Sequence, residues 1–95
     1  MPGSDEKLLT LHPDPQKKGV NINKEKYQII RSEILSLLRK DPLPHNRLDN
    51  LVKSRLKKRF DGSVSWYLET VKLDLEAREL IERDNNTKPP LYRLR

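Results

Sequence analysis

The residues of this chain best equipped for chemistry are its cations. Lys53, Arg55, Lys57, Lys58 and Arg59 fall within one short stretch, and amines and guanidiniums at that density suit a polyanion such as nucleic acid. The plainer reading is a solvated helix face whose basic last turn complements the helix dipole. If Leu56 points to a core, Lys58 lies almost opposite it, with Lys57 and Arg59 toward the two flanks. Covalent and metal chemistry have far less to work with. Cys is absent, which removes disulfides, thiol nucleophiles and thiolate ligands together. His12 and His45 each stand beside a proline, and no His-x-x-x-His or Glu-x-x-His spacing supports a metal. Gly3, Gly19 and Gly62 are too far apart for a phosphate-binding loop, and Ser63 and Ser65 carry no sign of a paired base. The expectation is a protein that is not an enzyme and needs no cofactor.

The charge is uneven. Of the 95 residues, 20 are Lys or Arg and 14 are Asp or Glu, for a net charge of +6. Residues 24–60 alone carry +7 against a balance of zero before them and −1 after them, so a polyanionic partner is expected there. Leu, Ile, Val and Phe together supply 26 residues, about 27% of the chain and above the ~20% at which a charged chain stays disordered. This length suits one folded domain. No apolar run approaches a membrane span, and the N-terminus lacks the basic and apolar regions of a signal peptide. The expected location is therefore cytoplasmic.

Three helices and a hairpin must position these groups. Residues 1–22 read as an irregular leader broken by Pro13 and Pro15, with a turn at Lys17-Lys18-Gly19. Its short apolar pieces, Leu8-Leu9-Thr10-Leu11 and Val20-Asn21-Ile22, suit either an edge strand or a cover for the core. Asn23 is a good cap for a helix whose stripe is Tyr27, Ile30, Ile34, Leu37 and Leu38, and Asp41-Pro42-Leu43-Pro44 stops it. A second helix starts at Asn46, with Asp49 an imperfect capping-box partner, and runs through Leu48, Leu51, Val52 and Leu56 to Phe60. Asp61-Gly62 ends it. Ser63 caps a third helix to about Arg78, with Val64, Tyr67, Leu68, Val71 and Leu75 on the buried side. Trp66, Thr70, Leu73 and Ala77 form a second stripe roughly opposite. Residues 80–84 and 91–95 then read as a β-hairpin around the turn-rich Asn85–Pro90. The fold class is α+β, with a folded domain over residues 23–95.

That element order, together with Leu73-Asp74-Leu75-Glu76-Ala77-Arg78-Glu79-Leu80-Ile81-Glu82-Arg83, resembles the winged helix-turn-helix superfamily, in which a recognition helix runs into a two-stranded β-hairpin wing. Val20-Asn21-Ile22-Asn23 and the run from Trp66 to Arg78 more closely resemble an uncharacterised family of short bacterial winged-helix-like proteins. The likeness covers roughly residues 20–95. One departure is Glu79, where the superfamily often places Gly before the Leu-Ile pair. The resemblance implies double-stranded DNA as partner and a regulatory role, with the third helix in the major groove and the wing on the backbone. On that footing Ser63, Ser65, Thr70 and Lys72 on the third helix, and Asn86 and Lys88 in the wing, join Lys57, Lys58 and Arg59 as nucleic-acid contacts, with Thr87 beside them.

Two features pull the other way. Residues 63–79 hold Lys72 and Arg78 against Glu69, Asp74, Glu76 and Glu79, an acidic balance for a helix meant to approach phosphates. The stripe of Trp66 and Leu73 leaves apolar surface in water unless something covers it. A protein partner, a homodimer or the leader would each do so. A protein-interaction module on the same fold, without nucleic acid, is the alternative function.

Overall fold

The computed structural model describes residues 6–95, and residues 1–5 of the expected leader lie outside it. The rest of the leader is not irregular throughout. It forms strand β1, Lys7–Leu9, which pairs antiparallel with strand β2, Asn21–Asn23, setting Leu8 opposite Ile22. Between them Thr10 is almost fully buried. Its amide and hydroxyl both donate to the Val20 carbonyl, at 2.9 and 3.0 Å, and its hydroxyl oxygen accepts from the Val20 amide at 2.9 Å. Gly19 permits this closure, because a Cβ there would stand 1.7 Å from the Thr10 carbonyl oxygen.

Helix α1, Lys24–Leu38, starts where its cap predicts: the Asn23 side chain accepts from the Lys26 amide at 2.9 Å. Its buried residues are the expected stripe of Tyr27, Ile30, Ile34, Leu37 and Leu38. The chain then makes a short strand β3, Leu43–Pro44, and helix α2, His45–Leu56. The Asp49 capping contact expected for α2 does not form, because that carboxylate turns across to the Ser65 hydroxyl (2.9 Å) and to Lys53 (3.1 Å). Nor does the helix reach Phe60. It stops at Leu56, where Lys57 turns to φ +46, and a single 3-10 turn, Lys57–Arg59, brings Phe60 inward to the core.

Helix α3, Val64–Ala77, is capped by Ser63, whose hydroxyl oxygen accepts from the Trp66 amide at 3.2 Å. Leu68, Val71 and Leu75 are wholly buried against α1 and α2, while Val64 and Tyr67 are only partly covered. Two polar residues accompany them inward, Lys72 and Asp74. The helix ends in the paired bonds of a Schellman motif, Leu80 N–H to Leu75 O and Glu79 N–H to Glu76 O, each 3.0 Å. Glu79 takes the left-handed conformation, φ +63, that this motif demands and that Gly would adopt without steric cost. Strands β4, Ile81–Asp84, and β5, Leu91–Leu94, form the expected hairpin. It is part of a three-stranded antiparallel sheet, because β3 adds to the far side of β5 in the order β3-β5-β4. Pro44 is tolerated there because β3 is an edge strand. Three helices and two small antiparallel sheets thus make a mixed α+β fold.

Asp74 carries no exposed surface, yet its carboxylate is satisfied. It accepts from the Leu11 amide at 2.8 Å, from Arg78 Nε at 2.9 Å and from the Tyr27 hydroxyl. Burial, and the hydrogen bond to that carboxylate, push the Tyr27 phenol up from 10.0 to about 12.

Two predictions follow from these contacts. Between pH 10 and pH 12 the unfolded chain releases the Tyr27 proton while the folded one keeps it, so stability is intact below about pH 10 and falls above it. The expected loss is about 2–3 kcal/mol by urea unfolding, and Tyr27→Phe should flatten it. Glu79→Gly should raise stability by about 0.5–1 kcal/mol in thermal unfolding, since relief of the left-handed strain exceeds the added chain entropy.

Candidate nucleic-acid interface

The basic run divides once its neighbours are in place. Lys53 is neutralised by Asp49, and Arg55 by Glu33 at 3.0 Å. Lys57, Lys58 and Arg59 are exposed, and among the described residues no carboxylate lies within ion-pair distance of any of them. The Arg59 guanidinium folds back on the Arg55 carbonyl. Beside this turn Phe60, Tyr67 and Trp66 stack edge to face, with centroids 5.2 and 5.0 Å apart. The Lys26 ammonium lies 5.5 Å from the Tyr67 ring. Trp66 ends this aromatic row and is 48% exposed.

The expected contact residues therefore scatter. Lys57, Lys58, Arg59, Ser63 and Trp66 come together at the turn and the N-terminal end of α3. Ser65 sits beside them, but its hydroxyl is spent on Asp49. Thr70 and Leu73 are half-buried and line a hollow against Leu11, Gly19 and Val20, so the leader covers that part of the second stripe. Asn86 and Lys88 are exposed on the separate β4–β5 loop, where the Asn86 backbone N–H donates to Asp84 Oδ1 at 2.9 Å.

Lys72 departs from expectation altogether. Its side chain is 4% exposed, not offered to solvent. It lies at the edge of the buried face, one turn from Leu68 and Leu75, and its alkyl stem follows that apolar surface inward. The ammonium ends 2.8 Å from His45 Nδ1, 3.1 Å from the Tyr92 hydroxyl and 3.2 Å from Glu69 Oε1. It also lies 4.2 Å from the Tyr92 ring centroid. Three donors thus meet three acceptors. The 3.7 Å separation of His45 Nδ1 and Glu69 Oε1 is bridged by this ammonium. No spacing signalled the cluster, because its members come from α2, α3 and β5.

The acids of α3 are largely spoken for. Asp74 is buried with Arg78, Glu69 is held by Lys72, and Glu79 is 3.7 Å from Arg95. The Glu76 carboxyl is half-buried, and desolvation raises its pKa above the ordinary range. None of these four stands in the first turn.

Two concavities complete the surface. One, of about 180 Å³, is lined by His45, Asn46, Arg83, Pro89, Pro90 and Tyr92. The other, of about 450 Å³, runs between the leader and Ala77, past Leu9, Leu11 and Lys18. Among the described residues no three His, Cys, Asp or Glu side chains converge to hold a metal, and no helix is long and apolar enough to cross a membrane.

No curated protein matches the sequence. No solved structure matches it either. A family model does match, over residues 7–92, which span both sheets and all three helices, and the chain therefore belongs to the family of unknown function DUF6958.

Proposed function

We propose that this is a small winged-helix protein that binds double-stranded DNA, gripping phosphates with Lys57, Lys58 and Arg59 and presenting the N-terminal end of α3 to a groove. The observation that carries the reading is the turn itself. Three adjacent cations there lack carboxylate partners among the described residues, shortly before a capped helix that exposes Ser63 and Trp66. The acidic balance of α3 weighs less than its composition suggests, because Asp74, Glu69 and Glu79 are compensated within the fold. Support for the winged-helix assignment comes from β3 joining the hairpin beside β5, and from Glu79 adopting the left-handed residue's role before Leu80-Ile81.

A protein-interaction module is the second reading. It is favoured by Leu9, Leu11 and Val20, which are 59%, 43% and 41% exposed, so that the leader covering Leu73 presents apolar surface of its own.

Fluorescence anisotropy with a random-sequence duplex at two salt concentrations tests the first reading. Binding should weaken with salt, and Lys57→Glu with Lys58→Glu should lower affinity by about tenfold or more and make the salt slope shallower by about 2. Failure of the unsubstituted protein to bind at low salt overturns it in favour of the second. In that case Trp66→Ala should dissolve a complex or dimer seen by light scattering, while lowering stability by only about 1 kcal/mol, since the ring contributes mainly its contact with Tyr67.

A further inference from the structure

We infer that the cleft between α2 and the β4–β5 hairpin binds a phosphate-class oxyanion. This does not depend on the DNA reading, which rests on the α2–α3 turn.

An ammonium only donates, so His45 Nδ1 accepts from Lys72 at 2.8 Å, and the neutral ring carries its proton on Nε2. That N–H lies on the side of the ring away from Lys72, and His45 lines the cleft. Arg83 supplies a second set of donors. Arg93, registered opposite Glu82 on the other face of the hairpin, is committed to Glu82 (2.7 Å) and Asp84 (3.1 Å), whereas Arg83 is exposed and no carboxylate among the described residues lies within ion-pair distance of it. The Asn46 amide is a third. The remaining wall is Pro89, Pro90 and Tyr92; the prolines have no N–H, and the Tyr92 hydroxyl oxygen is already accepting from Lys72 at 3.1 Å.

Among the described residues no carboxylate lines the cleft. Glu69 is held by Lys72, and Glu82 and Asp84 are taken by Arg93. What enters therefore meets N–H donors and the Arg83 guanidinium. The volume, about 180 Å³, is below that of pockets for drug-sized ligands and suits a group of a few heavy atoms. Arg83 on β4 and His45 and Asn46 on α2 approach from different elements. Donors so placed match the several oxygens of a tetrahedral phosphate better than the two coplanar oxygens of a carboxylate.

The occupant is either free phosphate or a phosphate of a nucleic-acid backbone. The test is a ¹H–¹⁵N NMR titration of the full chain with inorganic phosphate, with sodium chloride as the ionic-strength control. Saturable shifts should concentrate at His45, Asn46 and Arg83, absent in chloride, and Arg83→Gln should weaken the phosphate affinity by about tenfold or more while leaving the rest of the spectrum in place. Asn46→Ala should weaken it less. Shifts that never saturate, that arise equally with chloride, that gather instead at Lys57, Lys58 and Arg59, or that survive Arg83→Gln unchanged overturn the proposal. A short duplex added to the phosphate-loaded protein then identifies the source. Displacement of phosphate at these resonances assigns the site to the backbone of DNA, and their indifference assigns it to a free phosphate compound.

Discussion

The Asp74 carboxylate holds this fold in register. A buried charge is expensive unless every lone pair it presents is met, and here the donors come from three places at once: the Leu11 amide in the leader, the Tyr27 hydroxyl on α1 and the Arg78 guanidinium one turn on. Each tie is local chemistry with a long-range effect. The first draws the leader onto α3, 63 residues away in sequence. The second locks the two helices whose apolar faces form most of the core. The Tyr27 phenol is held protonated by the same contact, since a phenolate beside that carboxylate would set two negative charges together in a poorly solvated space.

Lys72 does on one flank of α3 what Asp74 does on the other. Its ammonium ties β5 through Tyr92 and the start of α2 through His45. With the leader on one side and the hairpin on the other, the middle and end of α3 are braced, and the first turn is the part left open. This arrangement makes net charge along the helix a poor guide to its surface. The acids that dominate the composition of residues 63–79 are consumed by these braces or lie beyond the first turn, while Lys57, Lys58 and Arg59, without carboxylate partners among the described residues, sit before the helix begins.

Among the described residues two with side chains stand at positive φ, Lys57 at the end of α2 and Glu79 just after α3. A left-handed residue reverses the chain sharply enough to bring Phe60 into the core on one side and to launch β4 on the other. The surrounding packing supplies the energy that such conformations cost, about 1–2 kcal/mol each. At Glu79 the sequence departs from the glycine of the pattern it resembles, and the backbone nevertheless adopts the conformation that glycine would have taken.

Sequence alone determined the parts governed by near neighbours. The three helices, their caps at Asn23 and Ser63, the stripe of Tyr27, Ile30, Ile34, Leu37 and Leu38, and the terminal hairpin were all legible, because capping and periodicity act over three or four residues. The basic turn was legible as composition, though not the fact that Lys53 and Arg55 are neutralised while Lys57 and Lys58 are not. Tertiary structure decided the rest. It paired β1 with β2 and β3 with β5, turned the helical run short at Lys57, and buried Lys72 among His45, Glu69 and Tyr92. A polar side chain is worth burying only when its partners are in place, and two of these, His45 and Tyr92, come from elements 20 or more residues away. No local pattern records where they will meet.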